Sequence, residues 1–288
     1  MKPTSSQIHP TSIPPGLYIV ATPIGNLKDI SLRALETLKE ADLIVCEDTR
    51  VSGKLLSHYG IKKTTLSYND HNADERRPKI LNELASGKKV ALISDAGTPL
   101  VSDPGYKLVR EAFAEGHYVT TLPGASSVIA ALCLSGLPTN RFLFAGFLPA
   151  KQEACRKEIQ ELARIPSTVV LFESAHRLIE TLALLHEVMG NRDAAVVREI
   201  TKMFEESRRN SLQELHDYYE KNGEPKGEVV IVIAPPPEER ASEDSVKSKL
   251  ALLLKSHSVK EAATILAEDT GLPRKEIYSL ALAMMDKK

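Results

Sequence analysis

The sequence contains few cysteines and has no excess of charge of either sign. Cys46, Cys133 and Cys155 are odd in number, lie far apart and form no CxxC pair. This spacing argues against a disulfide framework and a structural zinc site, and it favours a reducing compartment. The formal net charge is −1, from 37 basic and 38 acidic residues, so no global positive field indicates a nucleic-acid partner. Any RNA-binding surface must therefore be a local patch.

Long hydrophobic runs are also absent. No segment approaches the ~20 apolar residues of a membrane span, and the polar, proline-rich residues 1–15 contain no apolar core of a secretion signal. We therefore expect a cytoplasmic protein with a flexible tail over residues 1–15. With 288 residues and 42% hydrophobic content, the chain can bury substantial cores and suggests about two domains.

Two common phosphate-binding signatures are missing as well. The chain contains neither GxGxxG nor GxxxxGK[ST]. These motifs place backbone N–H groups against phosphates in dinucleotide-binding domains and P-loop proteins. A nucleotide-like ligand would need a different binding loop.

Short apolar runs alternate with amphipathic stretches from residue 16 onward. The apolar runs predict strands at 17–21, 43–46, 90–93 and 118–122, and helical spacing predicts helices over 31–40 and 74–85, the latter with Pro78 in its first turn. Strands that alternate with helices are typical of a largely parallel α/β sheet. We assign this pattern to an N-terminal α/β domain over residues 16–140.

The same alternation continues in a second α/β domain over residues 141–234. Strands are predicted at 142–145, 167–172, 194–197 and 228–233, and Ser211 with Glu214 forms a capping box that opens a helix between the last two. Residues 235–244 break all periodicity and indicate a linker.

Residues 245–288 have a helical pattern throughout. Ser258 and Glu261 predict a helix start, Gly271 suits the position after a helix end, and Pro273 suits the start of the next helix. Such a module could be a helix-turn-helix that reads nucleic acid, but the weak motif favours a plain helical hairpin or a dimer contact.

Three loops rich in small and turn-forming residues follow predicted strands of the first domain. They cover residues 21–29, 94–105 and 122–127. Open parallel sheets bind ligands at the carboxyl ends of their strands, and glycine lets a loop backbone approach a ligand closely. Each loop alone could be an ordinary turn, but three at successive strand ends indicate a ligand site.

Six segments together resemble the tetrapyrrole-methylase superfamily: ATPIGNLKDIS, ADLIVCEDTR, SDAGTPLVSDPG, LPGASSVIAAL, FESAHR and VREITKMFEE. The sequence is most similar to the branch known as ribosomal RNA small subunit methyltransferase I. Members that methylate tetrapyrroles have a GPG-type first loop and a GDP-type second loop. Here these positions read Pro23, Ile24, Gly25 and Ser94, Asp95, Ala96, which favours the ribosomal RNA branch.

The resemblance implies two α/β domains with a cleft between them that binds S-adenosyl-L-methionine, and a homodimer. It implies 2′-O-methylation of a cytidine ribose in small-subunit (16S) ribosomal RNA. The sequence leaves open whether naked RNA or the assembled subunit is the substrate, and we favour the assembled subunit. A small-molecule methyltransferase and a non-catalytic RNA- or protein-binding module are the alternatives. Carried over by position, the cofactor contacts are Ile24, Asp95, Gly97, Thr98, Ser126, Ser127, Phe172, Glu173, Arg198 and Val230.

The expected chemistry is displacement at the methyl carbon of a sulfonium, which needs proximity and alignment but no metal. A protonated ribose hydroxyl is a poor nucleophile, so a nearby carboxylate or imidazole could assist.

We expect Glu47, Asp48 and Arg50 to act in catalysis, because they follow an apolar strand and point charge into the cleft. Glu173, His71 and His176 are further candidates. The three cations that could hold phosphates in addition to Arg50 are Arg177, Arg198 and Lys202.

Overall fold

The computed structural model describes residues 12–237, 243–270 and 272–285. The chain divides into two compact units, Met1–Pro236 and Pro237–Lys288. None of the helices in these described ranges is both long and apolar enough to cross a membrane.

The first half of the larger unit is a five-stranded parallel sheet in the order β3-β2-β4-β1-β5. Apolar clusters pack on both of its faces, as the continuous apolar runs of its strands require. The carboxyl ends of β4, β1 and β5 are neighbours, so the three loops that follow them meet at one edge. The elements are β1 (Gly16–Val20), α1 (Leu32–Glu40), β2 (Leu43–Cys46), α2 (Thr49–His58), β3 (Thr65–Ser67), α3 (Ala73–Ala85), β4 (Lys89–Ile93), α4 (Tyr106–Ala114), β5 (Val119–Leu122) and α5 (Ser127–Ser135).

The second half is a five-stranded sheet in the order β6-β7-β10-β8-β9. Only its β6–β7 pair is parallel, and the other three pairs are antiparallel. Helix α5 packs on this sheet through Val128, Ala131 and Leu132, which explains why that helix is apolar on more than one face. The elements are β6 (Phe142–Phe147), α6 (Gln152–Ala163), β7 (Thr168–Ser174), α7 (Leu178–Met189), β8 (Asp193–Arg198), β9 (Glu206–Ser211), α8 (Leu212–Asn222) and β10 (Glu228–Ile233).

The smaller unit contains α9 (Glu243–Leu253), α10 (Val259–Thr270) and α11 (Arg274–Met285) around its own apolar cluster. Ser258 and Glu261 form the predicted capping interaction: the Glu261 carboxylate accepts from the Ser258 backbone N–H at 3.0 Å. Helix α9 begins at Glu243, two residues before the start predicted at 245. The predicted helix end at Gly271 lies outside the described residues.

The mixed α/β architecture with a parallel first sheet, a second sheet and a C-terminal helical region is confirmed. The prediction that Pro78 lies in the first turn of its helix is wrong, because α3 begins at Ala73 and holds Pro78 in its interior. The last residues of the predicted tail contact the first domain: Ile13 donates a backbone hydrogen bond to Glu40, and the Tyr18 hydroxyl donates to the Pro14 carbonyl at 2.5 Å. Residues 1–11 of that tail lie outside the described residues.

Candidate functional site

A cavity of about 570 Å³ lies at the carboxyl edge of the first sheet and reaches β7 and β10 of the second. Cavities of roughly 300–1,000 Å³ suit small-molecule ligands. Eight of the predicted cofactor contacts line it: Ile24, Gly97, Thr98, Ser126, Ser127, Phe172, Glu173 and Val230. The three loops and the second sheet therefore converge on one space.

The first two loops are joined by a pair of backbone hydrogen bonds. Thr22 N–H donates to the Gly97 carbonyl at 2.8 Å, and Gly97 N–H donates to the Thr22 carbonyl at 3.0 Å. Gly97 has φ +81°, and a Cβ there would lie 3.2 Å from Ile24 Cγ2. This conformation favours glycine, and it places bare backbone at the cavity wall.

The third loop packs against the other two. The Thr98 hydroxyl donates to the Ala125 carbonyl at 3.1 Å, and a Cβ on Gly124 would lie 2.8 Å from Ala21 Cβ. Ser126 caps α5 through its hydroxyl, which accepts from Ile129 N–H. The three loops thus form one interlocked wall, which holds the first-turn N–H groups of α5 at the cavity.

Strained backbone lies in two segments beside this wall. Leu100 and Ser102 have φ +76° and +64°, and Glu199 and Thr201 have φ +50° and +64°. Positive φ is costly for residues other than glycine and is concentrated at functional sites. The second segment touches the first loop, because the Asn26 N–H donates to the Thr201 hydroxyl at 3.0 Å.

The second sheet contributes an apolar wall and a buried acid. The Phe172 ring makes edge contacts with Phe144 and Phe147, with centroids 4.8 and 5.4 Å away. The side chain of Glu173 is only 1% exposed, and its carboxylate accepts from the Thr181 hydroxyl and from Ser174 N–H, each at 2.7 Å. Glu173 therefore lines the cavity while its oxygens are already hydrogen-bonded by the protein.

Acidic side chains gather at the carboxyl edge of the first sheet. Burial raises the pKa of Asp103, which lines the cavity. Burial and the charge of Asp95 raise the pKa of Glu47, and burial raises that of Asp95 although its carboxylate accepts from Asp48 N–H. This edge has a negative character that suits a cationic ligand group.

Five of the thirteen residues assigned to catalysis or cofactor binding do not line the cavity, and neither do the further candidates His71, Arg177 and Lys202. Asp48 is the N-cap of α2 and binds the Arg50 guanidinium at 2.6 Å, which lowers the Asp48 pKa to about 2. Arg198 pairs with Glu206 at 2.7 Å. The residues outside the lining are Glu47, Asp48, Arg50, Asp95 and Arg198. The Asp48 carboxylate caps a helix and binds Arg50, and its part in catalysis stays a prediction.

Sequence reasoning missed several lining residues. Asp103 and Ser102 lie in the predicted second loop, so their neighbourhood was identified but their roles were not. His176, by contrast, was among the further candidates from the sequence, and it lines the cavity from a 3₁₀ turn. Phe147 and the Gly227–Glu228 corner come from the second sheet, and no local motif marks them.

Comparison with known proteins identifies this arrangement. A family model described as tetrapyrrole (corrin/porphyrin) methylases matches residues 16–216. The chain belongs to the tetrapyrrole methylase family. A second model, described as the RsmI C-terminal HTH domain, matches residues 240–285. That description favours the helix-turn-helix alternative over the plain helical hairpin that we preferred from the sequence.

Full-length relatives place the chain in one branch of this methyltransferase family. A protein of Mesorhizobium japonicum named ribosomal RNA small subunit methyltransferase I is 47% identical over 283 residues, which are 98% of this chain and 96% of the relative. The recognition of this branch from the sequence is therefore confirmed.

Solved structures show the same fold at lower identity. Diphthine synthase matches with a TM-score of 0.60 and 22% identity, over 76% of this chain and 89% of that one. Uroporphyrin-III C-methyl transferase from Thermus thermophilus, complexed with S-adenyl homocysteine, matches with a TM-score of 0.53 and 20% identity, over 76% and 97%.

Proposed function

We propose that this chain transfers a methyl group from S-adenosyl-L-methionine to the 2′-oxygen of a cytidine ribose in small-subunit ribosomal RNA. The observation that carries the proposal is the wall of three interlocked loops around the cavity, in a chain whose full-length relatives carry a ribosomal RNA methyltransferase name. The Thermus thermophilus relative with S-adenyl homocysteine supports the choice of cofactor.

The cavity suits this cofactor on chemical grounds. Gly97, Thr98, Ser126 and Ser127 offer backbone and hydroxyl groups, while Ile24, Phe172 and Val230 offer apolar surface for the adenosyl group. When bound, the cofactor supplies a methyl group on a sulfonium whose departure leaves a neutral thioether. The carboxylates at the sheet edge favour that positive charge. No metal is needed for such a transfer.

We assign the proton-accepting role to Asp103 instead of Glu47 or Asp48. Asp103 lines the cavity and burial raises its pKa, so its carboxylate is a stronger base than an ordinary aspartate. Asp48 is engaged by Arg50, and its lowered pKa makes it a weaker base. Arg50, with a side chain 88% exposed, remains available to contact a phosphate at the edge of the site.

Transfer of labelled methyl groups to purified small ribosomal subunits, and to naked small-subunit RNA in parallel, tests this function. Nuclease digestion and mass analysis of the nucleosides should locate the methyl group on a cytidine ribose of the assembled subunit. A methylated base, or transfer to tetrapyrroles only, would contradict the proposal.

Two further expectations belong to this function. We infer a cytoplasmic enzyme, which agrees with the free thiols of Cys46, Cys133 and Cys155. We also infer a homodimer, as the resemblance to the family implies. Light scattering on the purified protein should give twice the chain mass, and a monomeric mass at micromolar concentration would contradict the dimer.

A further inference from the structure

The starts of α10 and α11 bring three basic residues onto one surface of the C-terminal unit. Lys260 is the second residue of α10, and Arg274 and Lys275 are the first two of α11. Two shallow surface depressions share Lys260 and Arg274, so the residues around them form a continuous area. We call it the cationic surface: Lys260, Arg274, Lys275 and Tyr278, flanked by His257, Ser258, Glu261, Thr264 and Ile265.

These cations have no anionic partners within the described part of the chain. No ion pair or hydrogen bond there involves the side chain of Lys260, Arg274 or Lys275, and all three residues are exposed. Elsewhere in the same unit, Lys249 binds Asp269 at 2.7 Å. The cationic surface therefore carries three side-chain cations that form no ion pair within the described residues, beside one carboxylate, that of Glu261, which is hydrogen-bonded to Ser258.

The position of the cations on their helices is unfavourable for the isolated chain. Helix N-termini carry a partial positive charge, which prefers acidic side chains and anions. Glu261 and Glu276 lie in these first turns, but the Glu261 carboxylate is bound to Ser258. No hydrogen bond within the described residues uses the N–H of Arg274 or Lys275. The cations and the positive helix N-termini would therefore stabilise an external anion.

We propose that the cationic surface binds the phosphate backbone of RNA. The inference rests on the proposed function for its choice of RNA among polyanions, but none of the residues of the cationic surface is among those that line the methyl-transfer cavity. Lysine and arginine side chains and the N–H groups at helix starts are the usual protein partners of phosphates, so this surface suits a phosphate backbone. The second helix of a helix-turn-helix also contacts nucleic acid through its N-terminal residues, which here are Arg274 and Lys275.

Salt-dependent binding to the full chain without cofactor tests this proposal. The probes are a labelled RNA hairpin and purified small ribosomal subunits. The test variant is Arg274→Gln with Lys275→Gln, and the matched control is Lys247→Gln with Lys249→Gln, which removes the same charge from α9. We expect the test variant to weaken binding about tenfold at moderate salt and to reduce the salt slope by roughly 1 to 2, since each lost phosphate contact contributes about one unit. In the control variant, the changes in RNA affinity and in salt slope should each be less than half of those in the test variant.

The outcomes separate this inference from the proposed function. Equal effects of the two double variants would overturn the cationic surface as a specific site. Unchanged RNA binding together with a changed oligomeric mass in the test variant would also overturn it and indicate a protein contact. If the chain methylates no ribose but the test variant still loses RNA affinity, the proposed function fails and the cationic surface stands. Circular dichroism checks that both variants keep their helices.

Discussion

The Arg50 guanidinium chelates the Asp48 carboxylate, with Nη2–Oδ2 at 2.6 Å and Nε–Oδ1 at 3.1 Å. The same carboxylate accepts the Arg50 backbone N–H and caps α2. The pair therefore holds an exposed guanidinium in a defined place beside the carboxyl edge of the first sheet. A phosphate that arrives there meets a positioned cation instead of a freely rotating one.

Replacement of Arg50 by alanine should impair methyl transfer while it spares cofactor binding. The guanidinium does not line the cavity, so the cofactor loses no contact, but a phosphate loses a paired hydrogen-bond donor. If the charged hydrogen bonds contribute ~1.5 to 3 kcal/mol, kcat/KM should fall by about one to two orders of magnitude. Lys62→Ala removes the same charge at the opposite edge of the sheet and should transfer at the wild-type rate. Wild-type transfer by Arg50→Ala would remove Arg50 from the site.

Gly97→Leu should weaken S-adenosyl-L-methionine binding by at least about tenfold. Its φ of +81° strains any side chain, and the new Cβ would approach Ile24 at the cavity wall. Gly116 has φ +77°, and a Cβ added there would meet nothing within 4 Å, so Gly116→Leu imposes the same backbone strain away from the cavity lining. Calorimetric titration compares the two. Equal affinity in two folded variants would contradict our placement of the second loop.

Asp103→Asn should lower kcat by roughly 10²- to 10⁴-fold, the usual contribution of a general base. Cofactor affinity should change far less, because the asparagine keeps the shape of the cavity wall. A kcat close to that of wild type would instead show that another group accepts the proton of the ribose hydroxyl. The matched variant Asp70→Asn alters an acid outside the lining and should retain activity.

The same substitution should alter stability in a pH-dependent way. Burial raises the folded-state pKa of Asp103 above its ordinary value of 3.8, so the folded protein holds this proton more tightly than the unfolded chain. Its contribution to stability is complete below pH 3.8 and is lost as the pH rises through the raised pKa. Asparagine does not titrate. The melting temperatures of wild type and Asp103→Asn should therefore match below pH 3.8, and near neutral pH the variant should melt at a higher temperature than wild type.

Glu173→Ala should act on folding more than on chemistry. Its buried carboxylate accepts from Thr181 and Ser174, and the truncation leaves those donors without a partner. We expect a loss of about 1 to 3 kcal/mol in the free energy of unfolding. Glu180→Ala, at an exposed position of α7, should cost less than about 0.5 kcal/mol. Denaturant titrations measure both, and a neutral Glu173→Ala would contradict this account.

Much of the fold follows from local pattern. Residues 43–46 form a buried strand as predicted, and Ser31 and Ser211 cap the helices that their spacing indicates. Strand β9 was missed because its sequence, ESRRNS, is polar: it lies at the edge of the sheet and pairs with β8 alone, so its formation depends on a partner and not on its own burial. Strand β3 was missed because it has only three residues.

The candidate site also has parts that the sequence predicts and parts that it does not. The three loops are visible in sequence because glycine and proline mark them, and Gly97 adopts the positive φ that such a loop requires. The orientation of the Arg198 side chain, a predicted cofactor contact, could not be predicted from the sequence. Arg198 lies on β8 beside Val229, but its guanidinium turns to Glu206 on β9, a strand that the sequence did not reveal. Which way a side chain turns from its strand depends on neighbours that local pattern does not supply.

The strand order of the second sheet has a consequence for synthesis of the chain. Strand β10 is last in sequence, yet it lies at the centre and pairs with both β7 and β8. The first sheet has all its strands once Leu122 has emerged, whereas the second cannot close until residues 228–233 are available. A nascent or truncated chain that ends before them presents two apolar strands with open edges, which are sites for aggregation. The nascent chain should therefore depend on chaperones mainly while strands β6 to β9 of the second sheet have been made and β10 has not.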